Sequence, residues 1–239
     1  MNPIIKAIPN TITCCNLLSG CFAIAMSFKA TELVCSDLYG WMLASFFIFA
    51  AAVFDFLDGM SARALKAYSE IGKELDSLSD LVSFGVAPAM LLFNMLDASY
   101  SQAWVPFLAF MIPVFGGLRL ARFNVEDAGS TTFRGLPIPA NALFWIGFNA
   151  WIWKYTAPDL ISTVIAVVLM SLSMVSDISL FSLKFKNLSF VQNWRRYFIL
   201  VAAIVLVALL GLSGFMWTIL LYMLFSFKAG EKKPSKPFD

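Results

Sequence analysis

The sequence contains no histidine, and only 13% of its 239 residues are charged. Its four cysteines, Cys14, Cys15, Cys21 and Cys35, have no spacing typical of a metal site, and three of them lie in one apolar segment. The usual ligand sets of zinc are therefore missing. With 60% hydrophobic residues, the composition also excludes an ordinary soluble globular protein, and we expect no nucleic-acid partner.

Long apolar runs alternate with short polar connections along the whole chain. A helix needs about 20 apolar residues to cross a bilayer, and a backbone in lipid must satisfy its own hydrogen bonds. Candidate spans lie at roughly 11–28, 38–56, 77–97, 103–121, 138–155, 160–178, 196–212 and 214–227. We therefore expect an all-α polytopic membrane protein with about eight transmembrane helices. It divides into a surface segment at 1–10, a transmembrane domain at 11–227 and a basic tail at 228–239.

Basic residues are distributed unevenly over the predicted connections. If the N-terminus is cytoplasmic, every Lys and Arg except Lys29 and Lys154 falls on the cytoplasmic side. This is the positive-inside bias, and an even number of spans returns the C-terminus to the same side. We therefore expect both termini in the cytoplasm. The commonest setting for such a chain is a bacterial cytoplasmic (inner) membrane. A helix at the N-terminus, broken at Pro9, would lie on the membrane surface.

A polar stretch, DFLDGMSARALKAYSEIGKELDSLSD, joins the second and third predicted spans on the cytoplasmic side. It contains four aspartates: Asp55, Asp58, Asp76 and Asp80. On a helix the first two lie about 60° apart, and the last two are about one turn apart. A turn at 67–69, with Ser69 as the N-cap of the next helix, would fold the stretch into an antiparallel hairpin. The four carboxylates would then converge.

Converging carboxylates repel one another unless a cation lies between them. Mg²⁺ or Mn²⁺ meets this need with oxygen ligands and leaves coordination positions for phosphate. Gly59, Ala62 and Gly72 leave space beside the acids, and Arg63 offers a fork-shaped cation to a phosphate. The alternative is a solvated turn in which the acids pair with neighbouring Lys and Arg side chains.

The stretch at 55–80 resembles the D-x2-D-G-x2-A-R-x8-G-x3-D-x3-D signature of the CDP-alcohol phosphotransferase family at all eight fixed positions. This resemblance implies a membrane enzyme with a six-helix core, to which the chain adds two helices. It also implies transfer of a substituted phosphate from a CDP-linked donor to an alcohol, with release of CMP. Asp55, Asp58, Asp76 and Asp80 would hold two metal ions, and Asp80 would also be the general base.

The resemblance implies a cytidine diphosphate site as well. Its residues would be Gly59, Ala62, Arg63 and Gly72, with Asn10 and Thr13 from PNTITCCN, which is similar to the family's N-terminal P-N-x-x-T-x-x-N. Asn16, the last residue of that motif, either helps to hold the nucleotide or serves the start of the helix. Members of the family tend to form homodimers, and we expect one here.

Three further stretches, at 75–89, 116–142 and 169–187, resemble serine-using members of the family. They imply CDP-diacylglycerol, held in membrane lipid, as the donor and L-serine as the acceptor. The candidate residues for the serine carboxylate or a donor phosphate are Arg119, Arg122, Asn124 and Arg134. Each arginine has an alternative interpretation as a positive-inside anchor. Asp177 departs from the pattern, because a less acidic residue is expected there.

Two alternatives to serine transfer remain at this stage. A related enzyme could use glycerol 3-phosphate or an inositol phosphate, but a phosphorylated acceptor needs an additional basic pocket. A cation transporter would carry acids near the middle of the membrane and broken helices in corresponding halves of the chain. The aspartates instead cluster at one face, which favours an enzyme.

Overall fold

A computed structural model of the chain describes residues 3–35, 37–126, 135–155, 159–178, 180 and 190–227. The α-helices are α1 Pro3–Ser27, α2 Gly40–Leu65, α3 Glu70–Asp80, α4 Ala87–Ser99, α5 Met111–Glu126, α6 Ile138–Tyr155, α7 Leu160–Val175, α8 Phe190–Leu210 and α9 Gly214–Phe227. Two short antiparallel strands, β1 Leu33–Cys35 and β2 Leu38–Tyr39, precede α2. Over these described residues the chain is all-α apart from this small hairpin.

Five helical stretches within the described ranges are long and apolar enough to cross a membrane. They are Ala7–Ser27, Gly40–Leu65, Glu70–Ser99, Val105–Val125 and Asn193–Ser226. Large apolar side chains face outward along them; for example, Ile204 is 69% and Leu209 is 73% exposed. Such surfaces require a lipid environment, so the protein is an integral membrane protein that crosses the bilayer several times.

The stretch Asn193–Ser226 contains two helices, because the chain turns at Gly211. This glycine has a φ of +65°, and a short 3₁₀ segment, Gly211–Ser213, separates α8 from α9. The two helices pack against each other, and α9 also packs on α6. Helix α6 is largely enclosed, with Trp145 and Ile146 almost fully buried. Its environment is therefore protein on most sides.

Helices α3 and α4 are joined by a π-helical segment, Leu81–Val86, that begins directly after Asp80. At its end, the Ala87 N–H donates to the Val82 carbonyl, five residues earlier. Pro88 follows in the first turn of α4. A proline clashes with the carbonyl four residues before it, and a wider π turn relieves that clash. The helical stretch Glu70–Ser99 therefore changes its hydrogen bonding immediately beyond the last aspartate.

The predicted break at Pro9 is wrong. Helix α1 continues through this proline, which is buried. Pro9 is the seventh residue of α1, beyond the first turn, so its missing N–H removes one interior hydrogen bond of the helix. Additional bonding at this turn comes from the Thr13 hydroxyl, which donates to the Pro9 carbonyl at 3.0 Å. Polar residues at 10–16 are therefore carried on one continuous helix.

Candidate active site

The polar stretch at 55–80 forms the predicted helical hairpin. Helix α2 ends at Leu65, and Lys66 adopts a left-handed conformation with φ 50°. The Ser69 hydroxyl caps α3 by accepting a hydrogen bond from the Gly72 N–H at 3.0 Å. This turn and cap reverse the chain so that carboxylates of α2 and α3 meet, as predicted from the sequence.

Three of the four carboxylates converge between the two helices. One oxygen from each of Asp55, Asp76 and Asp80 lies within 4.8 Å of the others, a spacing that a metal ion could bridge. Asp58 lies beside this group and interacts electrostatically with all three. Asp58 and Asp80 are almost fully buried, at 6% and 9% exposure, and the other two are half-buried.

The donor set fits a hard divalent cation. Within the described residues, Asp58 Oδ2 and Asp76 Oδ1 are buried without a hydrogen-bond partner. Two nearby cations are directed elsewhere: Arg63 Nε donates to the Gly59 carbonyl, and Lys73 Nζ donates to the Asn124 carbonyl. Buried, unpaired carboxylates are costly, and cations with oxygen ligands remove that cost.

One face of α1 contacts the aspartate hairpin through three polar residues on successive turns. Its residues are Asn10, Thr13 and Asn16, spaced three apart. Asn10 touches the start of α3, and Thr13 lies within hydrogen-bonding reach of Asp58. Deepest in the site, Asn16 Nδ2 donates to Asp80 Oδ1 at 3.2 Å. The sequence motif at 9–16 therefore belongs to the same site as the aspartates, although 39 or more residues separate them.

The two glycines predicted to line the nucleotide site differ in their surroundings. A Cβ atom at Gly59 would meet nothing within 4 Å among the described residues, so this position borders open space. At Gly72 a Cβ would lie 2.8 Å from both Asn10 Oδ1 and Ser69 Oγ. The space beside Gly72 is thus occupied by protein atoms, and the absence of a side chain there allows α1 to approach α3. Ala62 is half-buried and Arg63 is exposed on the same turn of α2.

Three of the four predicted serine-site residues lie in the second half of α5 and face different neighbours. Asn124 Nδ2 donates to Ser77 Oγ at 2.9 Å, which brings Asn124 to α3. Arg122 turns to α7, where Nη2 lies 2.8 Å from Asp177 Oδ1 and Nη1 donates to the Val175 carbonyl. Arg119 lies over the Phe123 ring, with 6.0 Å from Cζ to the ring centroid. Arg134 lies outside the described residues.

The contact between Asn16 and Asp80 is not predicted from the sequence. The sequence suggests only a nucleotide contact or a helix start for Asn16, yet its side chain donates a hydrogen bond to the carboxylate of Asp80. The spacing alone indicates that Asn16 faces the site, because it is on the same helical face as Asn10 and Thr13. Its partner could not be inferred, because the contact crosses 64 residues of chain.

Comparison with known proteins gives a family match over most of the chain. The family described as CDP-alcohol phosphatidyltransferase matches residues 6–179, which include the aspartate hairpin and α1 through α7. Helices α8 and α9 lie beyond the matched region.

Curated relatives share the printed name CDP-diacylglycerol–serine O-phosphatidyltransferase. The protein of Methanocaldococcus jannaschii is 42% identical over 146 residues, which cover 61% of this chain and 67% of the relative. That of Bacillus subtilis is 41% identical over 133 residues, 55% of this chain and 69% of the relative. A Helicobacter pylori protein is 34% identical over 137 residues, 56% of this chain and 54% of the relative.

Proposed function

Because the chain belongs to the CDP-alcohol phosphatidyltransferase family, we propose that it transfers the phosphatidyl group of CDP-diacylglycerol to the hydroxyl of L-serine. The products are phosphatidylserine and CMP. The observation that carries this proposal is the convergence of Asp55, Asp76 and Asp80 in a chain whose relatives are named for serine transfer.

The family depends on divalent metals, and we assign Asp55, Asp58, Asp76 and Asp80 as the residues that hold them. We propose Mg²⁺ or Mn²⁺, because the site offers carboxylate oxygens and the chain has no histidine. Two such ions, when bound, would supply charge neutralisation for the pyrophosphate and for the departing CMP. The unpartnered oxygens of Asp58 and Asp76 support this assignment.

The donor nucleotide would be bound on the cytoplasmic side of the hairpin. The proposed contacts are Gly59, Ala62, Arg63, Gly72, Asn10 and Thr13. Open space beside Gly59 allows a ligand to approach the α2 backbone, and the exposed Arg63 guanidinium offers planar donors to phosphate. The acyl chains of the donor would stay in the bilayer beside the apolar outer faces of the helices.

Asp80 would act as the general base on the acceptor. Its carboxylate takes the proton as the serine O–H bond breaks, and the oxygen forms a new bond to the phosphorus that carries diacylglycerol. The bond from that phosphorus to the bridging oxygen of CMP breaks, and CMP leaves with the electron pair.

The serine site would lie between the aspartate hairpin and the end of α5. We propose that it draws on Arg119, Arg122, Asn124 and Arg134 for the serine carboxylate or a donor phosphate. Asn124 supports this position through its hydrogen bond to Ser77, next to Asp76 on α3. If Arg122 binds the serine carboxylate, it exchanges Asp177 for the substrate, one carboxylate for another.

The membrane arrangement follows from the same proposal. We propose eight spans, with α8 and α9 as the last two, and with both termini and the active site in the cytoplasm. The Lys and Arg distribution supports this orientation. The division into a surface segment at 1–10, a catalytic domain at 11–227 and a lipid-attracted basic tail at 228–239 remains a prediction, and so does the homodimer. The tail lies outside the described residues. We place the protein in a bacterial cytoplasmic membrane.

The test is CMP release from CDP-diacylglycerol by the purified protein. Serine, glycerol 3-phosphate and inositol phosphate are supplied in turn, with Mg²⁺ or Mn²⁺ added. We expect serine-dependent release of CMP together with phosphatidylserine. Release that depends on another acceptor would overturn the serine assignment, and no release with any alcohol would overturn the proposed function.

A further inference from the structure

Asn16 is a buried asparagine whose side chain is directed at another segment of the chain. Its residue is fully buried, and Nδ2 donates to Asp80 Oδ1 at 3.2 Å. A hydrogen bond to one carboxylate oxygen restricts rotation of the group about its Cβ–Cγ bond. The direction of the Asp80 carboxylate within the site is therefore set by Asn16.

The backbone of Asn16 is held by the segment that follows Asp80. Ser83 Oγ, in the π-helical segment, donates to the Asn16 carbonyl at 3.0 Å. Gly20, one turn later on α1, permits this contact, because a Cβ there would lie 2.9 Å from the Ser83 Cα. Helix α1 and the π-helical segment therefore meet at backbone distance, which fixes Asn16 relative to Asp80.

Other buried asparagines in the chain bond differently. Asn149 on α6 is also fully buried, but its Nδ2 donates to the Trp145 carbonyl of its own helix at 2.9 Å. Within the described residues, Asn16 Oδ1 and Asn149 Oδ1 both lack a hydrogen-bond partner. The two residues therefore match in type, burial and number of bonds. They differ in that Asn16 binds a carboxylate of the reacting site.

We propose that Asn16 is a positioning residue for the general base: by holding Oδ1 of Asp80, it fixes the orientation of this carboxylate towards the acceptor hydroxyl. This inference rests on the proposed function, because it takes Asp80 as the base. In the step concerned, the hydroxyl proton passes to the Asp80 carboxylate while the hydroxyl oxygen bonds to phosphorus and CMP departs. Asn16 itself neither gains nor loses a proton.

The test compares Asn16→Ala with Asn149→Ala as the matched control, both in the full-length protein. Steady-state CMP release is measured while the acceptor and CDP-diacylglycerol are varied separately. A misplacement of about 1 Å costs about 10²-fold in rate, so we expect kcat of Asn16→Ala to fall by about 10- to 100-fold. Its KM for CDP-diacylglycerol should stay within about threefold of wild type, since the donor contacts remain. Asn149→Ala should keep both parameters within about twofold.

A second variant covers the case in which Asn16→Ala does not fold. Ser83→Ala keeps the amide of Asn16 but removes the hydroxyl that anchors its carbonyl. We expect a smaller fall in kcat, about threefold to tenfold, again with an unchanged KM for the donor. If folding of Asn16→Ala fails, an unchanged kcat in Ser83→Ala overturns the proposal.

Three other results would also overturn it. These are a kcat of Asn16→Ala within about threefold of wild type, an equal loss in Asn149→Ala, or a raised donor KM with unchanged kcat. The last would make Asn16 a donor-binding residue. Wild-type protein assayed alongside separates this inference from the proposed function. If wild type uses glycerol 3-phosphate rather than serine, the acceptor assignment is wrong, but the ratio between variant and wild type with that acceptor still decides the role of Asn16.

Discussion

The aspartate hairpin and the end of α5 both carry charged side chains and lie at the same side of the helix bundle. They differ in how far these charges are buried and paired. In the hairpin, carboxylates are buried and grouped, and two of their oxygens lack a partner within the described residues. At the end of α5, Arg122 is already paired with the exposed Asp177, and Asn124 bonds to α3.

This difference indicates what each region needs in order to be stable. Grouped buried carboxylates gain a large free energy from a bound cation, because their repulsion and desolvation are both relieved. An exposed ion pair such as Arg122–Asp177 contributes about 0–1 kcal/mol and can be exchanged cheaply. The hairpin is therefore organised around a ligand. At the end of α5, the polar side chains are already bonded to other protein groups, and a substrate could replace these partners.

Substitution at the deepest acid should produce the largest effect. Asp80→Asn keeps the shape and a hydrogen-bonding amide but cannot accept the proton. Since a general base contributes about 10²- to 10⁴-fold, we expect kcat to fall by about 10³-fold. Binding of CDP-diacylglycerol, measured without acceptor, should remain. Activity near the wild-type level would remove Asp80 as the base.

The second prediction concerns metal binding and stability. Adding Mg²⁺ to metal-free wild type should raise the thermal midpoint Tm by about 5 °C or more at saturation, because a ligand that binds the folded state stabilises it. Asp76→Asn removes one ligand and one repelling charge. Its Tm should respond less to Mg²⁺, and its activity should fall about 10²-fold or more. Calorimetry with and without a chelator checks this. Equal shifts in both proteins would contradict the ligand assignment of Asp76.

The smallest effect is expected at the arginine pair. Arg122→Ala should raise the KM for serine by about tenfold with little change in kcat, because a charge-assisted hydrogen bond to the substrate is lost. Asp177→Ala removes the competing carboxylate and should leave the serine KM unchanged or lower. If both variants raise the serine KM equally, the Arg122–Asp177 pair has a structural role and does not bind serine. Of the two regions, only the hairpin would then be organised around a ligand.

Much of this protein could be predicted from local patterns. Each predicted apolar span overlaps a helix, because the length of an apolar run is a local property. The polar ends of the helices were missed: α1 begins at Pro3 rather than 11, and α2 ends at Leu65 rather than 56. The turn after α2 and the Ser69 cap were also predictable, since both depend on residues within one hairpin. The break at Pro9 was predicted wrongly, because the propensity of one proline was outweighed by the packing of α1 against its neighbours.

Hydropathy and helical periodicity are enough to identify an α-helical membrane protein and to predict that Asp55, Asp76 and Asp80 share a site, because both act over short distances. The distant side chains that complete this site depend on tertiary packing. Asn16 reaches Asp80 across 64 residues, and Arg122 reaches Asp177 across 55. Such contacts depend on how close two helix backbones can come, as they do where Gly20 meets Ser83. That distance is set by the packing of the whole bundle rather than by any one segment.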